Sequence, residues 1–162
     1  MLGRRVPMIL QSEAPECGIA CVAMIASFHG FRTDLAGMRM RLAPSMKGVT
    51  LKHIAMIAET MGVAARGVKV ALESLSQLKL PAILHWDFNP FVVLVKVGRD
   101  GVLIHDPARG ARWLKWPRVS RHFTGAAMEL VPEAGFERGD EQRRITMRQL
   151  LGRVTGLRRS LA

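Results

Sequence analysis

The stretch QSEAPECGIACVAMIASFHG, residues 11–30, decides the fold of the N-terminal half. Apolar residues recur in it at helical spacing and Gly30 supplies a stop signal, so the pattern predicts a helix over residues 16–29. Cys17 lies at the start of this helix, one turn before Cys21. A thiol at that place is close to the positive end of the helix dipole and to backbone N–H groups. Both favour the thiolate, which is the nucleophilic form.

The two cysteines also have a purely structural interpretation. By position alone, Cys17 is more often a core cysteine than a nucleophile, and Cys21 is expected to be a buried, inert thiol. A disulfide between them is not expected, because both lie on one helix face where the bond would strain the backbone. No His or Cys partners at metal-site spacing accompany them, so we expect no metal site. Gly18 is expected to leave room for the backbone of an approaching substrate.

Beyond this stretch, the pattern predicts helices first and strands second. Asp34 and Thr50 are N-cap residues for two further helices, and short apolar runs separated by turn residues follow Gly62. Arg99-Asp100-Gly101 is a hairpin signal, because Asp-Gly readily adopts the positive φ of tight turns. The remaining predicted helical segments cover residues 34–41, 51–61, 72–77 and 117–123, and the predicted strands cover 64–70, 82–86, 91–97, 101–105, 111–114 and 126–131. This order predicts an α+β domain with an antiparallel sheet.

The composition indicates one folded domain. The chain has 162 residues, 49% hydrophobic and 23% charged, which suits a single hydrophobic core and does not suit disorder. No apolar run approaches the ~20 residues that a membrane-spanning helix needs. The N-terminus lacks the long apolar region and the cleavage site of a secretory signal. With only two cysteines, we expect a reducing, cytosolic compartment.

The net charge of +11 is unevenly distributed. Residues 138–162 contain seven arginines, one aspartate and one glutamate, a net charge of +5, which leaves +6 on the rest. Basic patches attract nucleic acid, but the chain contains no Tyr and no recognised nucleic-acid motif, so we expect no nucleic-acid partner. A basic segment beside a cytoplasmic membrane surface explains the charge at least as well. Residues 145–162 have the pattern of a basic amphipathic helix, and packing on its own domain is an equally open interpretation.

Three blocks of the sequence, taken together, resemble one peptidase family. Residues 11–30 resemble the cysteine motif of the bacteriocin-processing, double-glycine leader peptidases. LPAILHWDFNPFVVL, residues 80–94, is similar to the histidine motif of that family, and LIHDPARGARW, residues 103–113, is similar to its aspartate motif. The order and spacing of the blocks match, and the resemblance covers residues 6–132.

This resemblance implies a fold, an activity and a setting. The fold would be that of a papain-like cysteine peptidase, and the activity would be cleavage of leader peptides after Gly-Gly. The peptidase-like domain would cover residues 1–135, with a linker over 136–144 and residues 145–162 leading toward a transmembrane domain. The implied partners are the double-glycine leader of a secreted peptide and the transmembrane and ATPase domains of a bacterial ABC exporter. The domain would lie on the cytoplasmic side of the inner membrane. It would need no cofactor, and ATP would bind the separate ATPase domain.

The resemblance also implies roles for individual residues. Cys17 matches the nucleophile, Gln11 the donor of the oxyanion hole, and Asp106 the carboxylate that orients a catalytic imidazole. The chemistry agrees, because an amide donates to a developing oxyanion and a carboxylate fixes the imidazole tautomer. Two alternatives stay open: Gln11 is simply an exposed side chain, and Asp106-Pro107 simply starts a turn.

Pro90 stands where the family's motif has its histidine, directly before the Phe-Val-Val-Leu run. Proline has no titratable group, so it cannot take the thiol proton or protonate the leaving amine. It also lacks a backbone N–H, which a sheet tolerates at the start of a strand or at an edge. We therefore expect cleavage by this chain to be impaired or absent.

No other histidine is expected to substitute. If the strand continued, His85 would lie roughly 16 Å from position 90 and on the opposite face. His105 is expected to face away from the site as well, and the three remaining histidines, His29, His53 and His122, lie in or next to helices outside the blocks. Two accounts of Pro90 remain open: a domain that binds cargo without cutting it, or a variant of an active enzyme.

Overall fold

The N-terminal half is helical, as predicted. The computed structural model describes residues 4–42, 49–87 and 90–140. A 3₁₀ turn, Ala14–Glu16, leads into helix α1 (Cys17–His29), and α2 (Leu35–Arg41) and α3 (Leu51–Thr60) follow. Both predicted caps are present: the Asp34 carboxylate accepts from the Gly37 N–H at 2.9 Å, and the Thr50 hydroxyl accepts from the His53 N–H at 3.3 Å. Gly30 ends α1 with φ at 111°, a conformation that favours glycine.

The second half forms one antiparallel sheet of six strands. Its strands are β2 (Val63–Lys69), β3 (Ala82–Trp86), β4 (Phe91–Val97), β5 (Gly101–Asp106), β6 (Gly110–Lys115) and β7 (Phe123–Pro132). Their spatial order is β2-β7-β3-β4-β5-β6. A second 3₁₀ segment, Leu72–Gln77, and helix α4 (Trp116–His122) lie in the connections. The α+β prediction is confirmed, with strand bounds shifted by at most a few residues.

The core consists of two layers on the two faces of the sheet. Phe91 and Val93 of β4 pack with α1 on one face, whereas Val92 and Leu94 belong to the cluster on the other. Residues 20–26 of α1 are all buried, because α2 and α3 cover the side of α1 that the sheet does not. A helix that is apolar all round is typical of such an interior position.

The β4–β5 hairpin forms as predicted, but for a different reason. Neither Asp100 nor Gly101 has a positive φ. A Cβ at Gly101 would lie 2.0 Å from the Leu114 carbonyl oxygen of the neighbouring strand β6. The glycine is therefore required by a close backbone approach, and not by the turn torsions that the sequence suggested.

The segment after β7 returns to the domain. Phe136 packs against the core on the α1 side, and β8 (Gly139–Asp140) pairs in parallel with β1 (Phe31–Arg32). The division into a linker over 136–144 and a helix over 145–162 stays a prediction, because residues 141–162 lie outside the described part of the chain. Within the described residues, no helix is long and apolar enough to cross a membrane.

Candidate active site

Cys17 is the first residue of α1, and its thiol is surrounded by backbone donors. The N–H groups of Phe91, Gly18 and Cys17 itself point their positive ends at the sulfur and lower the pKa of the thiol. Two of these belong to the open N-terminus of α1, where the first N–H groups have no partner within the helix. The third comes from the start of β4, so the fold brings the cysteine motif and the histidine motif into contact.

The net effect on the thiol differs from the expectation. Burial raises the pKa of Cys17 and outweighs the three N–H donors, and the nearby charge of Asp106 raises it further. The side chain of Cys17 is only 2% exposed, so the prediction of a stabilised thiolate is wrong for this state of the site. The donors predicted at the helix start are present, but α3 and the sheet remove the solvent that a thiolate needs. Burial raises the pKa of Cys21 much more, as expected of a core thiol, and both cysteines are free.

Gly18 allows close packing around the start of α1. A Cβ at this position would lie 3.2 Å from side-chain atoms of Ile54 and Val49, so the missing side chain lets α3 approach α1. The expectation that Gly18 leaves room for a substrate backbone stays a prediction.

Asp106 lies at the end of β5, 4% exposed, with its charge felt at Cys17. Its Oδ1 accepts from the Ala108 N–H at 2.9 Å and its carbonyl accepts from the Arg109 N–H at 3.1 Å, so it also starts the turn into β6. Asp106 thus starts a turn and also lies near the thiol. The sequence had left the turn open as an alternative to a role in the site.

Gln11 is joined to the same turn. Its backbone N–H donates to the Pro107 carbonyl at 2.8 Å. Its side chain is half-buried, and the buried Oε1 atom has no hydrogen-bond partner among the described residues. The atom without a partner is the acceptor of the amide, whereas an oxyanion would need the amide N–H.

Pro90 lies in a bend immediately before β4, half-buried, with its carbonyl accepting from the Trp86 N–H at 3.0 Å. The missing N–H is therefore tolerated at the start of a strand, as predicted. Two covalent bonds, about 2.4 Å, separate the Pro90 Cα from the Phe91 nitrogen that donates to Cys17. The residue in position 90 thus stands beside the thiol.

His85 and His105 do not lie where the sequence predicted them. The chain turns back between β3 and β4, so His85 lies directly opposite Phe91 and not at the far end of one strand. Since cross-strand neighbours share a face, His85 is on the α1 side with Phe91, and His105 is there with Val93.

Both rings are nonetheless held elsewhere. The Nδ1 of His85 is 2.8 Å from the Thr124 hydroxyl, and that of His105 is 3.2 Å from the Pro7 carbonyl. Neither ring is among the groups that shift the pKa of Cys17.

The other histidines lie away from Cys17. His53 lies at the start of α3 with its ring against the Thr50 cap. Burial lowers the pKa of His29, and its buried Nε2 has no hydrogen-bond partner among the described residues. His122 pairs with Asp87 at 2.9 Å. Its ring stacks on Trp86, which belongs to the core on the opposite face of the sheet from α1, so this pair does not face Cys17.

Comparison with known proteins now identifies the family. Residues 5–135 match the model of the peptidase C39 family. The chain belongs to this family. A double-glycine motif protease from an AMS/PCAT transporter, solved in complex with its leader peptide, is 32% identical with a TM-score of 0.73, over 80% of this chain and 93% of that one. The peptidase domain of Streptococcus ComA has a TM-score of 0.71 at 23% identity, over 80% of this chain and all of that one, and supports the fold.

Longer relatives place the C39 domain within larger proteins. The colicin V secretion/processing ATP-binding protein CvaB of Escherichia coli is 46% identical over 98% of this chain, and the probable microcin-H47 secretion/processing protein MchF of the same species is 45% identical. The chain spans 23% of the length of each of these relatives.

The sequence alone did not predict two contributors to the site. The Phe91 backbone donor leaves no signal in a side-chain pattern. Glu16, whose carboxylate binds the loop before Cys17, was read only as the first residue of the helix. A buried acidic residue directly before a helix start is a signal for such a loop contact.

Proposed function

We propose that this chain recognises double-glycine leader peptides at the Cys17 site and that Pro90 deprives the site of its acid–base group. The single observation that carries the proposal is the approach of the Phe91 N–H to the Cys17 sulfur. It puts position 90 next to a thiol that also feels the charge of Asp106. This proximity supports a Cys–His–Asp site in which proline replaces the histidine.

Cleavage would require three things from this site. The Cys17 thiol gives up its proton and its sulfur attacks the carbonyl carbon of the second glycine of the Gly-Gly pair, which turns the carbonyl oxygen into an oxyanion. The Gln11 amide and the N–H groups at the start of α1 are the donors for that oxyanion. The leaving amine must then receive a proton before the thioester is hydrolysed.

The proton steps are where the chain is deficient. In a C39 peptidase with histidine at position 90, the imidazole would take the thiol proton and return it to the amine, with Asp106 fixing its orientation. Proline can do neither, and the pKa of Cys17 is raised by burial, so little thiolate forms spontaneously. We therefore infer leader binding with little or no cleavage.

The longer relatives support a setting for the chain. We infer that the chain is the N-terminal domain of a peptide or bacteriocin ABC exporter, next to its transmembrane and ATPase domains, on the cytoplasmic side of the inner membrane. The names of CvaB and MchF, which include secretion and processing, support this setting, as does their matching 98% of the chain. ATP would bind the ATPase domain.

A docking module without hydrolytic function is the second candidate, and Pro90 itself favours it. Both candidates predict leader binding, and only the first predicts that cleavage returns once an imidazole is supplied. A fluorescein-labelled Gly-Gly leader peptide, titrated by anisotropy at moderate salt, tests the shared part. A leader of the same composition in scrambled order is the control.

Saturable binding of the leader, and not of the scrambled peptide, is expected, because an amphipathic leader helix docks by its apolar positions and needs no histidine. No binding up to millimolar peptide would refute the proposal. Equal and strongly salt-dependent binding of both peptides and of arbitrary DNA would indicate a basic, non-specific surface instead.

A further inference from the structure

Glu16 is a buried acidic residue that the cleavage chemistry does not use. It is 8% exposed and lies between the start of α1 and the helix α2. Its Oε2 accepts hydrogen bonds from the backbone N–H groups of Ser12 and Glu13, both at 2.9 Å. Its Oε1 accepts from the Arg39 Nε at 2.6 Å. One carboxylate thus joins a loop, a helix start and a neighbouring helix.

The loop that Glu16 holds is the connection between two site residues. Ser12 and Glu13 directly follow Gln11, and Cys17 directly follows Glu16. On its other side, Gln11 is tied to the turn after Asp106 by the hydrogen bond from its N–H to the Pro107 carbonyl. The segment 11–17 therefore sets the distance between the Gln11 amide and the Cys17 thiol, and the Glu16 carboxylate holds this segment by its hydrogen bonds.

The charge of this carboxylate is stabilised locally. Burial raises the pKa of Glu16, but the N–H of Glu13, the Arg39 guanidinium and the N–H of Ser12 together outweigh burial and lower it. The contacts of Glu16 with the loop therefore carry its proposed influence on the site.

We propose that Glu16, held by Arg39, is a positioning residue that fixes the Gln11 amide relative to the Cys17 sulfur. The proposal rests on the proposed function, because it assigns Gln11 and Cys17 to the same carbonyl group of the substrate. Misplacement of a reacting group by about 1 Å is enough to slow a reaction by ~10²-fold. If the carboxylate only stabilised the fold, its removal would lower the melting temperature without changing this alignment.

The test uses two leader peptides and the chain as it stands. One peptide ends at Gly-Gly in an aldehyde and the other in the corresponding alcohol. The Cys17 thiol adds across the aldehyde: the S–C bond forms, the π bond of C=O breaks, and the thiol proton passes to the oxygen. No acid–base residue from position 90 is consumed in this equilibrium, so Pro90 does not prevent it. The ratio of the two dissociation constants reports the alignment of thiol and oxyanion donors, and the alcohol alone reports leader binding.

Four variants separate position from stability. Glu16→Ala removes the acceptor of both N–H groups. Glu16→Gln with Arg39→Met keeps a carbonyl oxygen for both N–H groups and removes the donor that would face the new amide. Arg39→Met alone leaves the carboxylate without its outer partner, and Glu59→Gln, on the exposed side of α3, is the matched control.

We expect the unchanged chain to bind the aldehyde at least tenfold more tightly than the alcohol. Glu16→Ala should lose that advantage while its affinity for the alcohol stays within twofold, and the Gln/Met pair should regain it. Loss of the advantage in the Gln/Met pair as well, or its retention in Glu16→Ala, would overturn the proposal. Equal affinity of the unchanged chain for both peptides would also overturn it, since no alignment would exist. Failure of the unchanged chain to bind the alcohol would instead remove the proposed function, and this inference with it.

Discussion

Replacement of Pro90 by histidine is the perturbation that bears most directly on the proposed function. The Phe91 nitrogen donates to the Cys17 sulfur, and the Pro90 Cα is about 2.4 Å from that nitrogen by covalent geometry. With a hydrogen bond to sulfur of at most about 4 Å, the Cα at position 90 lies within roughly 6 Å of the thiol. The ring nitrogens of a histidine extend ~3–4.5 Å from its Cα, so a hydrogen bond to the thiol is within reach.

The expected gain follows from the missing chemistry. General acid–base catalysis contributes ~10²–10⁴-fold, which corresponds to about 3–5 kcal/mol at about 1.36 kcal/mol per factor of ten. An imidazolium beside Cys17 also favours the thiolate and so counters the burial that raises the pKa of that thiol. Pro90→His should therefore cut a Gly-Gly leader at least a hundred times faster than the unchanged chain, measured by mass spectrometry of timed digests.

Two controls isolate the imidazole. Pro90→Ala relieves the fixed φ and restores the backbone N–H without adding a titratable group, so it should not cut. Cys17→Ala, added to the histidine variant, should abolish the activity gained. If the histidine variant folds and binds leader yet never cuts, one of two explanations holds. Either the side chain at position 90 points to the face of the sheet opposite α1, or other parts of the site no longer support catalysis. The docking module would then be the better description.

Two further predictions concern the thiols and a strand glycine. Because burial raises the pKa of Cys17 and raises that of Cys21 much more, iodoacetamide should label Cys17 first, with a rate still rising above pH 9. Mass spectrometry can follow this, and earlier labelling of Cys21 or a plateau below pH 8 would contradict it. Gly101→Ala should destabilise the domain by about 1–3 kcal/mol in denaturant unfolding, because the new Cβ would meet the Leu114 carbonyl oxygen at 2.0 Å. Gly67→Ala, with no atom within 4 Å of its added Cβ, is the control and should be close to neutral.

The elements were predictable from the sequence because their signals are local. Asp34, Thr50 and Gly30 occupy cap positions whose chemistry involves only the next few residues. The strands were predictable for the same reason, since each is a short apolar run bounded by turn residues, as β4 is. The fold class then followed from the order of the elements.

Pairing across the sheet was not predictable in the same way. The sequence between His85 and Phe91 contains no Asn-Gly or Asp-Gly pair, so the return of the chain was missed and His85 was placed at a wrong distance. The expected thiolate at Cys17 was wrong because α3 packs against the start of α1 at Gly18, a contact between residues far apart in the chain. Both errors concern long-range packing, which leaves no periodic trace in a single sequence.

The structure also bears on whether the histidine at position 90 was lost recently. A recent or deliberate loss of histidine is suggested by the presence of Cys17, Gln11 and Asp106. That inference holds only if these residues have no other role. Asp106 starts the turn into β6 and Cys17 fills the core, so selection for folding alone would keep both. The Gln11 backbone bond to Pro107 would form with any residue other than proline, and its side-chain oxygen has no partner among the described residues. The Gln11 amide is therefore the one member of the trio whose retention packing does not explain, and leader affinity in Gln11→Ala measures whether binding explains it.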